Sequence, residues 1–596
     1  MLGNMMAHRS STRSPTGDQA TSAPPGPSRC LDALTVALNQ AGGDGMWCWY
    51  TSTKQAQLAS LGFCAAFRRV SMLHLRVEPG TPRHLWAGAT PREAEDTKRC
   101  RTSRVPMVRP RTVTWSLSGS ELKGNNNSTC DALSGVERFQ FGIHFNDDIR
   151  WVKWPPNLKR VGFGTHFNRS VNRVSLPASV RSISFSYDFE KTLTKIEWPA
   201  SLQDLFLFCR FKNSIKGIVW PNSLRKLVLC GDLKTRTPLG GIPWPASLQD
   251  LKIGRMHNEP IDEVPLPESL KKLTIVRGFN RPIDQVKWPR SLEYMDLGFD
   301  FDQSLDGVIL PRSLRYLILR PRFYRRIDKV VWPASLQQLT FYSDFRHLAG
   351  EIAWPSSLLE MFLWDDYRRA VDDVMFPISL QKLSFGWHFN SPVDAVAWPA
   401  SLLELNFGVL FDQPIDNVAW PATLQTLALG RNFNQPIREV AWPASLLQLS
   451  FGQVFNQPID DVSWPPSLQE LRFGCGPAPR EDQLHLWPST RSMLGDGSAF
   501  NQPIDNAAWP SSLARITFGP CFNQSLDGVS WPASLRQLAF SRDFCSPGEG
   551  FEWPASLERV TVACRPERAL PSWHGVQVFG VWSGWWEGPQ IPGRSW

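Results

Sequence analysis

Phe433-Asn434-Gln435-Pro436-Ile437 leads to Trp442-Pro443-Ala444-Ser445-Leu446 and then to Leu449-Ser450-Phe451-Gly452. The chain at once says it again, with Phe455-Asn456-Gln457-Pro458-Ile459-Asp460 followed by Trp464-Pro465. The template is W-P-x-S-L-x-x-L-x-F-G-x-x-F-N-Q-P-I-D-x-V-x, and self-similarity with a period of about 22 residues is the signature of a solenoid. Working outward, the position of the W-P tryptophan is filled by Trp154, Leu176, Trp198, Trp220, Trp244, Leu266, Trp288, Leu310, Trp332, Trp354, Phe376, Trp398, Trp420, Trp442, Trp464, Trp487, Trp509, Trp531 and Trp553. One unit is lengthened between Gly231 and Ile242, and one is degenerate from Gly474 to Leu486, where Pro477, Pro479 and charged residues replace the Phe-Asn segment. Such insertions map to surface loops in repeat proteins.

Each unit contains one short strand. Leu449 and Phe451 alternate with polar neighbours, so one face of the strand is buried. Stacking these strands rung on rung gives a parallel sheet with about 4.8 Å between neighbours. The Gly after the strand (Gly430, Gly452, Gly474) is read as the tight exit that a residue with Cβ would resist. Pro in the W-P pair has no N–H to donate and suits the irregular outer side. Ser four places into the unit is expected to bond nearby backbone and close the turn into the strand. The predicted fold is mainly β, a right-handed parallel-strand solenoid resembling leucine-rich repeats. It occupies residues 132–569, after a basic leader over 1–131 and before a Trp-rich cap over 570–596.

The 596 residues exceed what one globular core holds, but a repeat array escapes that limit because each unit buries its apolar face only against its neighbours. The net charge of +9 is unevenly placed. Residues 1–131 hold 16 Lys/Arg against 9 Asp/Glu, and the rest holds 48 against 46. The start of the leader, rich in Ser, Thr, Pro and Gly, is predicted to be disordered. Apolar spacing predicts short helices over Leu31–Leu38 and Gln55–Leu75. Lys98 to Arg111 forms a basic stretch, read first as a solvated linker. At the other end, Val576, Val578 and Phe579-Gly580 suggest a last strand, with Trp582, Trp585 and Trp586 covering the open core.

Eleven cysteines form no CxxC pair, which favours reduced thiols and an intracellular setting over a secreted disulfide scaffold. No run approaches the roughly 18 apolar residues of a membrane helix.

The chemical columns each have a plain reading. Leu176, Leu266, Leu310 and Phe376 replace Trp in its own column, so the indoles are core packing and not a sugar-stacking platform. The Asn column (Asn280, Asn390, Asn434, Asn456, Asn501, Asn523) is read as a ladder bonding turn backbone. The acidic column through Asp262, Asp284, Asp306, Asp328 and Asp460 offers one carboxylate per rung, against the roughly six to eight oxygens calcium takes. Asx-turn capping is expected there, and no metal or other cofactor is implied.

The outward strand positions carry more information. Asp204-Lys226-Asp250-Lys272 and Glu360-Lys382-Glu404 alternate in sign along the array. They are expected to form rung-to-rung ion pairs and to make a poor phosphate track, which disfavours nucleic acid along the sheet. Between them lie Tyr294 and Tyr316, flanked on the same face by Asp296 and Ile318, with Phe362 further on. Exposed aromatics on a sheet face are candidate anchors for a protein partner. The competing reading is that they only stack on each other and on the surrounding surface.

The string Phe-Asn-Gln-Pro-Ile followed by Pro-x-Ser-Leu-x-x-Leu-x-Phe-Gly resembles the FNIP repeat, a member of the wider leucine-rich-repeat group, over roughly residues 132–569. Trp before Pro departs from the aliphatic residue usual in the family, enlarging the core residue without moving the register. The resemblance implies a parallel-strand solenoid and protein interaction, with no catalytic activity to carry over. The expected function is therefore a non-enzymatic protein-interaction scaffold, about 90 Å long at that rung spacing. The alternatives are carbohydrate binding through exposed aromatics, and an enzyme whose activity lies in the leader. There His8, His74 and His84 stand without a glycine-rich phosphate loop, G-x-S-x-G or H-E-x-x-H.

Overall fold

The computed structural model describes residues 74–77, 112–115, 136–562 and 577–580, with gaps at 151, 153, 210–214, 216, 231–238, 256–257, 343–351, 364–370, 475–498, 541–543 and 545–552. The chain divides into two compact units, residues 1–164 and 165–596. In the first, β1 (His74–Val77), β2 (Thr112–Trp115), β3 (Arg138–Phe141) and β4 (Arg160–Gly162) pair in parallel in chain order. Two of these strands fall inside the stretch read as leader. His74 and Leu75, placed by apolar spacing at the end of a helix, are strand. The rest of the predicted helices lies outside the described residues, as do Trp582, Trp585 and Trp586.

The second unit is a ladder of parallel strands from β5 (Ser182–Phe185) to β22 (Gln577–Gly580), each paired with the next in sequence. The register is constant: Leu405, Leu427, Leu449 and Leu471 stand opposite one another on successive rungs. No helix occurs among the described residues. The last strand matches the one expected from Val578 and Phe579.

Inside each rung the same positions are buried. Leu446, Leu449, Phe451, Phe455 and Ile459 are fully enclosed, and Val462 nearly so. Phe451 and Phe455 stack within their rung at 4.2 Å between ring centroids, and Phe451 stacks on Phe473 of the next rung at 5.5 Å. A second file runs through Phe433, Phe455 and Phe500 at 6.1 and 6.0 Å. Each ring thus finds an aromatic neighbour in offset-stacked geometry, worth about 0.5–1.5 kcal/mol beyond area burial.

Polar columns tie the rungs together. Asn456 N–H donates to Asn434 Oδ1 at 2.8 Å, and Gln457 Nε2 donates to the Asn434 carbonyl at 2.8 Å. The column also accepts Asp: Asp412 Oδ1 takes the Asn434 N–H at 2.8 Å. Only an acceptor oxygen is needed, which is why the two residue types interchange. The Ser column was expected to close its own turn. It instead reaches the preceding rung, with Ser445 Oγ donating to the Leu424 carbonyl at 2.7 Å and Ser467 Oγ to that of Leu446 at 2.8 Å. Expected Asx capping by the acidic column gives way to serine: Ser304 Oγ accepts the Asp306 N–H at 3.0 Å, and Ser525 Oγ that of Asp527 at 3.1 Å. Asp328 pairs with Arg326 at 2.9 Å.

The glycine column also answers to the neighbouring rung. A Cβ on Gly430 would sit 1.9 Å from the Gly408 carbonyl oxygen, and one on Gly452 1.9 Å from that of Gly430. Close backbone approach, not turn conformation, excludes a side chain there; of the three glycines read as tight exits, only Gly474 has a positive φ, 74°.

The degenerate unit with Trp487 lies outside the described residues. β18 (Glu470–Arg472) pairs directly with β19 (Arg515–Thr517), and Trp464 stacks on Trp509 at 6.4 Å. Ser512 Oγ donates to the Leu468 carbonyl, 44 residues back, where other rungs span 21. The described rungs on either side of residues 475–498 thus pair with each other directly.

Gly430→Ala places a methyl against backbone that cannot yield. It is expected to cost about 3 kcal/mol or more, at the severe end for single substitutions. Ser445→Ala should cost about 1 kcal/mol, one hydrogen bond. Urea unfolding followed by Trp fluorescence checks both, and equal midpoints for the two variants would overturn the close-approach account.

Candidate interaction surface

The outward face of the second unit has two textures. From β14 (Lys382–Phe385) onward, its middle column reads Ser384, Asn406, Ala428, Ser450, Arg472, Thr517 and Ala539, and the next column is Gly386, Gly408, Gly430, Gly452 and Gly474. Apart from Arg472, these two columns hold only small or short side chains. From β6 (Asp204–Leu207) to β13 (Glu360–Leu363) the middle column is Phe206, Val228, Lys252, Thr274, Asp296, Ile318, Thr340 and Phe362. There the glycine column is broken by Val276, Arg320 and Tyr342.

Tyr294 and Tyr316 lie opposite each other on β10 (Tyr294–Asp296) and β11 (Tyr316–Leu319), with ring centroids 6.4 Å apart and planes tilted by 36°. Tyr316 is 38% exposed, and Tyr294 is half-buried. Lys272 Nζ sits 4.0 Å from the Tyr294 ring centroid, a cation–π contact. The two tyrosines therefore sit side by side at a tilt, while Tyr316 stays open to solvent.

Three of the expected surface residues are covered. Asp296 is 1% exposed, Ile318 7% and Phe362 8%. All three hold outward register positions, but side chains from the column beyond fold back over part of that face. Arg320 grips Asp296 in a fork, with Nε to Oδ1 at 3.1 Å and Nη2 to Oδ2 at 2.6 Å, and Gly298 N–H donates to Asp296 Oδ1 at 3.1 Å. The Arg320 guanidinium lies 4.7 Å from the Phe299 ring centroid and 4.9 Å from that of Tyr342. Asp296 is a structural brace, not a contact group. Sequence alternation placed it on the right face, but strand period alone does not show what lies over it. The one available signal was the loss of Gly at Arg320 and Tyr342.

The electrostatics follow from this packing. Burial opposes the Arg320 charge, yet the hydrogen bonds and charge of Asp296 outweigh it and hold the guanidinium above its usual value. Burial pushes the Tyr294 hydroxyl well above its ordinary range, with the Asp296 charge adding to it. Burial lowers the Lys272 ammonium; Lys226 and Lys252 lower it further, against the pull of Asp250 and Asp296. The expected ion ladders are present in part. Lys226 meets Asp250 at 2.8 Å, and Lys382 bridges Glu360 at 3.3 Å and Glu404 at 3.4 Å. Each half-exposed pair contributes under about 1 kcal/mol. The buried Glu470 is held by Arg472 at 2.7 Å and Arg515 at 3.2 Å, a pairing that column alternation did not foretell.

The Trp column lies on the side away from this face. Trp332 stacks on Trp354 at 6.3 Å and Trp398 on Trp420 at 6.5 Å, and every described Trp is buried or half-buried. Trp354 Nε1 donates to the Met375 carbonyl at 2.9 Å. Of the solenoid histidines, His166 sits in a turn, with Nδ1 2.7 Å from Asp188 Oδ2 on the surface.

The FNIP Repeat family model matches residues 279–320, 369–410, 411–453, 441–476 and 497–545. These stretches carry FNIP repeats. Among solved structures, CroV588, described as a novel circular LRR protein, matches 79% of this chain and 72% of its own with 26% identity and a TM-score of 0.56. The TLR13–ssRNA13 complex matches 76% of this chain and 75% of that one with 13% identity and a TM-score of 0.50, a likeness of fold. No curated protein matches the chain in sequence. The FNIP solenoid is thus a leucine-rich-repeat-like array, and no helix of its described residues is long and apolar enough to cross a membrane.

Asp296→Ala leaves a buried guanidinium without its carboxylate and is expected to cost about 3–5 kcal/mol. Replacing both partners, as Asp296→Leu with Arg320→Met, should recover most of that loss. Comparing unfolding midpoints of the three proteins checks this, and a double variant no better than Asp296→Ala would show that the pair is not the brace.

Proposed function

We propose that this FNIP solenoid is a non-enzymatic scaffold that binds a protein partner on the outward sheet face between β6 and β13. The observation that carries the reading is the change of texture. Over these rungs, aromatic and charged side chains replace the glycine and small residues of the later rungs, with Tyr316 open at their centre. Exposed aromatics beside arginine and lysine are the residue types that dominate binding energy at protein interfaces. Leucine-rich-repeat folds are widely used for protein interaction, which agrees with this use of the face. Tyr294 and Tyr316 are the proposed anchors, and Ile318, Phe362 and Asp296 support them from below.

Two other readings fit less well. Sugar binding by the Trp column requires open indole faces, and those indoles stack on one another. The neighbour in fold is seen with ssRNA13, but along this face Asp250, Glu360 and Glu404 would lie against a phosphate chain.

Affinity capture from native extract with the full chain, compared with a Tyr294→Ser/Tyr316→Ser double variant of unchanged thermal stability, tests the proposal. A partner retained by the full chain should be lost or weakened about 100-fold by the double variant, as for interface hot spots. Undiminished retention by the variant would move the binding site elsewhere.

A further inference from the structure

We propose that the cations on β8 (Asp250–Arg255) and β9 (Lys272–Arg277), next to Tyr294 and Tyr316, seat a short acidic segment of the protein partner. This rests on the reading of the same face as an interaction surface and names the chemistry that it selects.

Most charges described on this face are answered within the fold. Asp250 takes Lys226, Asp296 takes Arg320, Glu360 and Glu404 share Lys382, and Glu470 takes Arg515. Lys252, Lys272 and Arg277 are different. Among the described residues, no carboxylate comes within ion-pairing distance of any of them. Lys272 stands over the Tyr294 ring, and Arg277 lies 5.3 Å from the Phe299 ring centroid. Aromatic faces hold both cations in place without neutralising them. Register brings Lys252 beside Thr274, one rung from Lys272. Opposite them stand Asp250, already engaged by Lys226, and Asp296, enclosed by Arg320.

An incoming carboxylate would meet ammonium groups already positioned, and an apolar residue a few positions along the same segment would reach Tyr316. From the Lys252 rung to the Tyr316 rung is three strand spacings, about 14 Å, or four to five residues of extended chain. A short acidic peptide fits that distance. A nucleic acid does not, because its charge continues onto Asp250 and toward Glu360 and Glu404.

The test uses the full chain and fluorescence anisotropy with two degenerate pools of labelled octapeptides. In one pool half the positions are Asp or Glu and the rest Leu, Phe or Tyr; in the other, Asn and Gln replace the acids. The acidic pool should bind more tightly, weaken with added salt, and lose about tenfold on Lys252→Glu/Lys272→Glu, as interface charge pairs do. Lys252→Gln/Lys272→Gln is the milder variant, should charge reversal disturb folding. Equal binding of the two pools, no binding of the acidic pool, or acidic binding untouched by either variant overturns the inference. Equal binding that still falls on Tyr294→Ser/Tyr316→Ser would overturn the acidic preference alone and leave the interaction surface standing. Tighter binding of single-stranded oligouridylate that needs the same lysines would replace the acidic peptide with a nucleic acid.

Discussion

A rung of this solenoid has no interior of its own. Leu449, Phe451 and Phe455 are enclosed because the same columns of the rungs on either side press against them. Everything therefore has to fit on a copy of itself at the spacing of one strand. A ring must stack on a ring, an amide must meet the backbone of the next turn, and a backbone must pass over the one before it. The glycine column is the sharpest expression of that constraint, since the carbonyl of one rung occupies the space where the next would put a Cβ.

That constraint also explains how the array treats irregular sequence. Between Gly474 and Ala499 the rungs on either side pair directly. Trp464 meets Trp509 and Phe473 meets Phe518 as though adjacent in sequence. Stacking energy is local to neighbouring rungs, so a detour between two good rungs costs only the closure of a loop, which grows slowly with its length. The lengthened unit behaves in the same way, since Leu227 and Leu251 keep register across residues 231–238.

The outward face is where the constraint relaxes, and there the rungs cease to be copies. Over the later rungs the last two outward columns hold mostly small residues and glycine. Over the earlier ones, Arg320 and Tyr342 take the place of glycine, fold back on the sheet and build a braced cluster around Asp296. The brace fills the space beneath with a buried ion pair, and Tyr316 and Lys272 stay exposed beside it. A partner meeting this region loses little conformational freedom in the side chains it touches, a condition that favours tight binding.

From the sequence alone, the period, the parallel strand of the regular units, the core columns, the amide ladder and part of the alternating ion pairs were legible. Each depends on residues at fixed offsets that meet their equivalents in the next rung, so a linear repeat is enough to determine them. The strands at His74–Val77 and Thr112–Trp115 were not legible, because they carry no repeat motif and are defined only by the partners they pair with. Nor was the direct pairing of β18 with β19, since the W-P at Trp487 matched the template between them. On the candidate face, alternation put Tyr294, Asp296, Tyr316, Ile318 and Phe362 on one side of the sheet. Which of them meets solvent was decided by Arg320, Phe299 and Tyr342, through contacts between different rungs and across the end of the strand. Periodicity specifies which way a side chain leaves the backbone, whereas its burial depends on what the rest of the chain lays over it.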